Sequence, residues 1–282
     1  MKKKAVIFFN CHGGEIIHQL SQSNEFTKIY DFYFIPLYEY ILNGYKYFNQ
    51  DLINEHKNLV KTCDLIILQY IKKDRKTVHH NYIQSLLKKN CIIIKISHFT
   101  FSGYHYKYNI GKDEYLNENK SKDKLNNYIN NLLTDKKREI LNNLNNELEH
   151  IRNLDKFSDI KCYDFVKNNY KKYLLFYSRS YPTYRFFHYI SQKILEKLNF
   201  KEKISPKWTS YAAHFTEVIF PKVKEYLNLD FDIKFNYRCN IIEYILCCKI
   251  NNTNCLNLKN RRDEGRKHVK DLLRIMSLKK YT

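Results

Sequence analysis

The sequence predicts an α/β fold: a doubly wound, mostly parallel sheet in the amino-terminal half, followed by a mainly helical part. Four short apolar runs alternate with segments of helical periodicity, and each run is continuous, as in parallel strands that are covered on both faces. Strand signals are weak after residue 112, where apolar residues recur at helical spacing. We therefore expect residues 1–112 to form the sheet region, and residues 113–282 to form a helical region that packs on it as part of one domain or as a lid.

The individual elements are predicted from the apolar patterns in chain order. Strands are expected at residues 4–9, 28–35, 63–69 and 91–97, and helices at residues 15–21, 49–61, 77–89 and about 117–155. Pro182 and Pro221 are each predicted to open a helix at its first position, where proline loses no hydrogen bond. Cys63 and Cys91 stand inside apolar runs and are expected to be reduced core residues.

The composition limits the classes of protein to be considered. Lys and Arg outnumber Asp and Glu by 49 to 29, which gives a formal net charge of +20. This excess is spread evenly along the chain and no nucleic-acid recognition motif is present, so specific nucleic-acid binding is not expected. No apolar stretch reaches the roughly 20 residues of a membrane span, and no secretory signal is recognised. The eight cysteines lack the spacing of a secreted disulfide framework, so a reducing cytoplasm is the expected location.

A candidate site is predicted where polar residues follow three of the strands. These residues are Asn10-Cys11-His12 after the first strand, Gln69-Tyr70 after the third and Ser97-His98 after the fourth. Ligands of open parallel sheets bind beyond the carboxyl ends of the strands. The three groups are therefore expected to converge on one site.

Cys11 is the candidate nucleophile of this site. It follows a buried strand and opens a helix, whose first amides favour an anion and would stabilise a thiolate. Gly13 and Gly14 would allow a tight turn and close approach of a ligand. A buried cysteine beside a glycine-rich turn is an equally good interpretation of the sequence. Three histidines are candidates for the general base: His12, His98 and His105. His105 is preferred, because it lies in the aromatic loop that leaves the fourth strand.

Two other features predict contacts to a ligand. The Gln69 amide could hold a carbonyl oxygen or contribute to an oxyanion hole, or it could simply cap the end of its strand. Arg179 and Arg185 flank a predicted helix start and could seat a phosphate, and an ordinary capped helix with solvated arginines fits equally well. No metal is expected, because the cysteines between residues 239 and 255 lack paired zinc-ligand spacing. The absence of Gly-x-Gly-x-x-Gly, Walker and Gly-x-Ser-x-Gly motifs argues against dinucleotide dehydrogenases, P-loop NTPases and standard α/β-hydrolases.

Four short blocks of the sequence resemble the WcbI-type polysaccharide biosynthesis enzymes. The strand end Phe9-Asn10-Cys11-His12 is similar to that family's Gly-Asn-Cys-Gln turn, and Asp64 and Gln69 bracket an apolar strand as they do in the family. Residues 96–105 resemble its strand followed by an aromatic-Gly-Tyr loop, and Tyr181-Pro182-Thr183 stands where a His-Pro pair opens a helix. Phe9, His12 and Tyr181 replace the family's Gly, Gln and His.

The resemblance implies a fold related to the SGNH hydrolases, which have a flavodoxin-like sheet, and binding of coenzyme A or acetyl-coenzyme A. It further implies transfer of an acyl group, most simply acetyl, from this small-molecule thioester to a carbohydrate acceptor, a sugar or sugar nucleotide, in glycan assembly. In that setting the expected catalytic residues are Cys11, His105 and His12. The expected cofactor contacts are Asn10, Gly13, Gly14, Gln69, His98, Tyr104, Arg179 and Arg185.

Three alternatives stand beside this hypothesis. The same site could remove acyl groups from glycans by hydrolysis, which product analysis would distinguish. A basic nucleic-acid-binding protein would bind with steep salt dependence. A relative that has lost catalysis would keep ligand binding alone. Within the acyltransferase hypothesis, Cys11 could carry the acyl group covalently, or it could only shape the thioester pocket while a histidine activates the acceptor.

Overall fold

The computed structural model of the chain describes residues 1–36, 50–70, 80–105, 131, 133–208 and 219–231. The contacts group the chain into two compact units, each made of three separate ranges. The sheet unit comprises residues 1–98, 152–162 and 184–208, and the second unit comprises residues 99–151, 163–183 and 209–282. The predicted division into residues 1–112 and 113–282 stays a prediction.

The described elements follow one another in an alternating order over the first hundred residues and are mainly helical afterwards. They are β1 (Lys3–Phe9), α1 (His12–Leu20), α2 (Asn24–Ile29), β2 (Tyr30–Pro36), α3 (Gln50–Thr62), β3 (Leu65–Tyr70), α4 (His80–Leu86), β4 (Ile92–Ser97), a 3₁₀ turn (Thr134–Lys136), α5 (Lys137–Asp155), α6 (Tyr163–Asn169), β5 (Phe176–Ser178), β6 (Tyr181–Pro182), α7 (Tyr184–Lys197) and α8 (Pro221–Leu227). Within these described residues, none of the helices is both long and apolar enough to cross a membrane.

The four strands of the sheet unit form a parallel sheet in the order β2-β1-β3-β4. The last five residues of β1 and the first five of β3 are buried, because helices cover both faces of a parallel sheet. The predicted α/β class and doubly wound, mostly parallel sheet are thereby confirmed. From β1 the chain passes to β2 on one side, and it then crosses back over β1 to β3 on the other side. The topological switch point therefore lies between β1 and β3.

Alternate residues of the strands build the two faces of the core. Val6 and Phe8 of β1 and Ile66 and Leu68 of β3 share a buried cluster with residues of α3 and α4, including Val60. On the other face, α1 packs against α7, and Ser191 Oγ lies 3.4 Å from the carbonyl oxygen of Ile16, to which it donates. The first helix is thus held between the sheet and α7.

The outer edge of β4 is covered by the segment that follows α5. The Lys95 amide donates to Asp159 Oδ2 at 2.7 Å, and the Asp159 amide donates to the Lys95 carbonyl at 2.7 Å. Cys63 is buried as expected, whereas Cys91, which immediately precedes this edge strand, is only half-buried. Both are free thiols.

The second unit has its own aromatic core, in which Tyr104 and Phe101 meet edge to face with ring centroids 5.1 Å apart. Its β5 and β6 form a two-stranded antiparallel ribbon. Pro182 belongs to this ribbon, so the prediction that it opens a helix is wrong. Pro221 does open α8, as predicted.

Other helices also differ from the predictions. The first helix begins at His12, three residues earlier than expected, and α2 was not predicted. Of the long helix expected over residues 117–155, residues 131 and 133–155 are described, and they include the 3₁₀ turn and α5. Residues 117–130 and 132 lie outside the described residues. The cysteines at positions 239–255 also lie outside them.

Candidate active site

Asn10 fixes the turn between β1 and α1 at the switch point of the sheet. Its backbone amide donates to Gln69 Oε1 at 2.8 Å, which ties the end of β1 to the end of β3. Its side-chain Oδ1 accepts from the His12 amide at 3.0 Å, and its carbonyl accepts from the Gly13 amide at 2.9 Å. Asn10 therefore satisfies two amides in the first turn of α1, the role of a helix-capping residue.

This capping removes part of the anion site that the sequence suggested. The amides of His12 and Gly13 donate to Asn10 and are not available to a bound anion, contrary to the expectation. Glu15, which is buried in the first turn of α1, also places a carboxylate at the positive end of the helix dipole. The turn therefore lacks two of the amide donors that the sequence suggested for an anion.

The two glycines of the turn have different roles. A Cβ at Gly13 would lie 2.3 Å from Phe34 Cε2 and 2.9 Å from Phe9 Cβ, so Gly13 is required for α1 to pack closely on the sheet. A Cβ at Gly14 would meet nothing within 4 Å. Neither glycine has left-handed backbone, so the tight-turn explanation is wrong for both. Open space for a ligand exists at Gly14 and not at Gly13.

Two of the three candidate histidines lie together in the sheet unit. The rings of His12 and His98 are almost parallel, with an interplanar angle of 7° and centroids 6.3 Å apart. His12 is 2% exposed and its ring also meets the edge of Phe187 at 5.5 Å, whereas His98 is half-buried. His98 is thus the member of the pair that solvent can reach. Phe187 was not predicted as part of the site, because only the general apolar pattern of α7 marks it.

Cys11 stands immediately before α1 with helical backbone angles, φ −53° and ψ −22°. It is half-buried, so the interpretation of Cys11 as a buried core residue does not hold. Gly14 and His98 are likewise partly exposed. A partly exposed thiol, an open position and an accessible imidazole therefore occur at the carboxyl edge of one sheet, where ligands of such sheets bind.

A pair of stacked aromatic rings also lies at this edge. Tyr70, the last residue of β3, and Phe157 are stacked with an interplanar angle of 2° and centroids 5.1 Å apart. Phe157 is 48% exposed. Such a surface can stack a flat ring of a ligand. Sequence reasoning missed Phe157, because it lies after α5 and is brought to β3 only by the pairing of its segment with β4.

The other predicted residues are distributed differently. Tyr104 is fully buried, and its hydroxyl donates to the carbonyls of Tyr170 and Tyr173 at 2.9 and 3.1 Å, so it stabilises the second unit and is not a cofactor contact. Burial raises the pKa of Tyr104. His105 also belongs to the second unit, is 4% exposed, and donates its backbone amide to the Ser102 carbonyl at 3.0 Å. Its preference as the base stays a prediction.

The two arginines are on different elements. Arg179 is exposed in the turn between β5 and β6, and its carbonyl accepts from the Phe101 amide at 2.8 Å. Arg185 is exposed in the first turn of α7, with its guanidinium 5.2 Å from the centroid of the Tyr184 ring. Arg179 therefore does not flank a helix start, and only Arg185 retains that part of the prediction.

No family model and no curated protein sequence matches the chain. Its fold does match a solved structure of WcbI, which is described as a polysaccharide biosynthesis enzyme and as the native protein without the disulfide bond between coenzyme A and a cysteine. The TM-score is 0.63 over 98% of this chain and 99% of that one, at 13% sequence identity. The chain thus has a WcbI-like fold.

Proposed function

We propose that this chain is a coenzyme A-dependent acyltransferase that binds a coenzyme A thioester at the carboxyl edge of the sheet unit and transfers the acyl group to a carbohydrate. The observation that carries the proposal is the partly exposed thiol of Cys11 on the turn between β1 and α1. Support comes from the fold, because the structural neighbour is an enzyme of polysaccharide biosynthesis whose description concerns coenzyme A and a disulfide to one of its cysteines.

The residues at this edge fit a thioester of coenzyme A. The open position at Gly14 leaves room for a ligand chain beside Cys11. The stacked pair of Tyr70 and Phe157 offers a flat apolar surface for the adenine ring. The net charge of +20 favours a ligand that carries a pyrophosphate and a further phosphate. Bound there, coenzyme A would supply an acyl group activated as a thioester.

The frame of hydrogen bonds around Asn10 determines which groups face the ligand. The carbonyl end of the Gln69 side chain is held by the Asn10 amide at 2.8 Å, so a ligand meets the NH₂ end, which only donates. A donor at this position suits the oxygen of a thioester carbonyl, where negative charge develops during acyl transfer. Loss of one such donor in other enzymes costs about 3–4 kcal/mol of transition-state stabilisation.

Two roles for Cys11 are consistent with this arrangement. In the covalent role, the Cys11 sulfur takes the acyl group as a thioester, and the acceptor oxygen then displaces that sulfur. In the direct role, Cys11 only contacts the ligand, and the acceptor oxygen attacks the donor. Both roles need a base for the acceptor hydroxyl, and His98 is an accessible imidazole at the carboxyl edge of the sheet, with His12 stacked against it.

Calorimetric titration with coenzyme A and acetyl-coenzyme A tests the proposal first. We expect saturable binding in the micromolar range that weakens at higher salt. A Gly14→Leu variant should bind at least tenfold more weakly without any loss of thermal stability, because it fills the open position without touching the core. A Tyr104→Phe variant is the control and should bind normally. If neither compound binds to the wild-type protein, the proposal is wrong.

Product analysis then separates transfer from hydrolysis. Incubation with acetyl-coenzyme A and a panel of sugars and sugar nucleotides should yield an acetylated carbohydrate and coenzyme A in equal amounts. Free acetate formed without any acceptor product would identify a hydrolase. A Cys11→Ser variant that kept full transfer activity would exclude the covalent role and leave the direct one.

A further inference from the structure

Cys63 and Cys91 lie side by side at the amino ends of β3 and β4. Their Sγ atoms are 3.6 Å apart, although the residues are 28 positions apart in the chain. The parallel register, in which Leu65 pairs with Ile92, brings the segments before the two strands together. This edge of the sheet is opposite to the edge that carries Cys11, so the cysteine pair is separate from the proposed acyltransferase site.

The two thiols differ in their access to solvent. Cys63 is 0% exposed, and its thiol donates either to the Val60 carbonyl, 3.1 Å away, or to the Cys91 sulfur, 3.6 Å away. Cys91 is half-buried, because it stands before the edge strand β4. A small reagent in solution can therefore react with Cys91 but not with Cys63, while the Cys63 sulfur is within reach of the Cys91 sulfur.

The charges around the pair favour a thiolate at Cys91. The pKa of Cys91 is lowered, first because the Cys63 thiol can donate a hydrogen bond to the Cys91 sulfur and second because of the Lys88 ammonium, while the Asp64 carboxylate and burial act in the opposite direction. Lys88 Nζ is paired with Asp64 Oδ1 at 2.6 Å. The same hydrogen bond and burial raise the pKa of Cys63. The Tyr30 phenol, whose pKa is raised first by burial and then by Asp64 and Cys91, is a further titratable group near the pair.

We propose that Cys63 and Cys91 are a redox-active pair, which a low-molecular-weight disulfide such as oxidised glutathione converts into an intramolecular disulfide. The Cys91 thiolate attacks one sulfur of the reagent, forms a mixed disulfide and releases one glutathione thiolate. The Cys63 sulfur then attacks the Cys91 sulfur, and its proton passes to the second glutathione sulfur, which leaves as a thiol. Two protein thiols are oxidised, and the one disulfide of the reagent is reduced to two thiols.

Bond formation requires a small movement with a measurable consequence. The sulfurs must approach by about 1.5 Å to reach the length of a disulfide bond. The new bond closes a loop that includes α4 and ties the amino ends of β3 and β4 together. Because a cross-link of this span restricts the unfolded chain, the oxidised protein should melt several degrees higher than the reduced protein.

Peptide mapping after oxidation tests the pair. The reduced protein is incubated with oxidised glutathione, its remaining thiols are alkylated in urea, and the peptides are analysed without reduction. We expect one peptide pair linked through Cys63 and Cys91, and Cys162, which is buried, should be alkylated as in the untreated protein. A stable glutathione adduct on Cys91 of the wild-type protein, or alkylated Cys63 and Cys91, would overturn the proposal.

Two variants test the order of the steps. Cys63→Ala should stop at the mixed disulfide, so glutathione remains on Cys91. Cys91→Ala should leave Cys63 reduced, because the reagent cannot reach it. Lys88→Gln should slow disulfide formation severalfold at neutral pH, since it removes the cation and leaves the Asp64 carboxylate unpaired. Glutathione found on Cys63 of the folded Cys91→Ala variant would contradict the proposed order.

Discussion

Substituting each glycine of the β1–α1 turn by alanine should change stability in opposite directions. At Gly13 the new Cβ would approach Phe34 Cε2 to 2.3 Å and Phe9 Cβ to 2.9 Å. The ring of Phe34 can rotate away, but the Phe9 Cβ is fixed to the backbone of β1, so α1 must shift. Overpacking of this kind costs about 1–3 kcal/mol, and the better helix propensity of alanine offsets about 0.5–1 kcal/mol of it. The net expectation for Gly13→Ala is a loss of up to about 2.5 kcal/mol.

At Gly14 only the higher helix propensity of alanine changes the stability, because nothing lies within 4 Å of the new Cβ. Gly14→Ala should therefore stabilise the protein by about 0.5–1 kcal/mol. Urea unfolding followed by circular dichroism measures both variants, and because the propensity gain is common to both, the expected difference is the overpacking cost of about 1–3 kcal/mol. If Gly13→Ala were as stable as Gly14→Ala, close packing would not be the reason for glycine at position 13, and the ligand-contact role predicted from the sequence would have to be restored there.

Three further substitutions test hydrogen bonds of Tyr104, of Gln69, and of Glu202, whose carboxylate accepts from the Ser23 hydroxyl and from the amides of Asn24 and Glu25. Tyr104→Phe should lose about 1–2 kcal/mol of unfolding free energy in urea, because two backbone carbonyls lose their donor, and it should leave coenzyme A binding unchanged. Gln69→Ala should cost about 1–3 kcal/mol, since the amide that follows β1 loses its acceptor, and a neutral result would show that water replaces it. Glu202→Gln should cost about 1 kcal/mol at pH 7, whereas the exposed Glu225→Gln control should cost less than about 0.5 kcal/mol. Hydrogen bonds, first that of the Ser23 hydroxyl, lower the pKa of Glu202, so its contribution is present above the ordinary glutamate pKa and is lost as pH falls through the lowered value. The difference between wild type and Glu202→Gln should therefore shrink in unfolding experiments at about pH 3, and a difference that grew in acid would contradict the assignment.

The strands of the sheet unit could be predicted because burial on both faces requires a continuous run of apolar residues, which is visible in the sequence. β1 and β3 are runs of apolar residues bounded by polar ones, and their observed ends differ from the predicted ends by one or two residues. The order of the strands in the sheet produces no comparable pattern in the sequence. That β1 lies between β2 and β3 follows from how the helices pack, and this order is what places Asn10 beside Gln69.

The short helix α2 could not be predicted, because one of the residues that stabilise its start is distant in the sequence. It has six residues, of which only Phe26 is buried, too few to show a period. Its start is capped by the Ser23 hydroxyl, and Ser23 in turn donates to Glu202, 179 residues away. The prediction that Pro182 opens a helix was wrong for a related reason. The amide of Thr183 donates to the carbonyl of Leu175, so the chain completes a ribbon before α7 can begin.

The candidate site shows the same limit at the level of single side chains. Polar residues at the carboxyl edge were predicted from their positions after the strands. The sequence does not distinguish those that hold the framework from those that a ligand could contact. In the fold, the Asn10 side chain, the carbonyl end of Gln69 and the Ser97 hydroxyl are engaged in hydrogen bonds that hold the turn and the strand ends in place. Cys11 and His98 keep exposed surface, and they are the groups that the proposed function places in contact with a ligand. The difference between a framework residue and a reactive one depends on which strand is the neighbour, and only the three-dimensional order of the sheet supplies it.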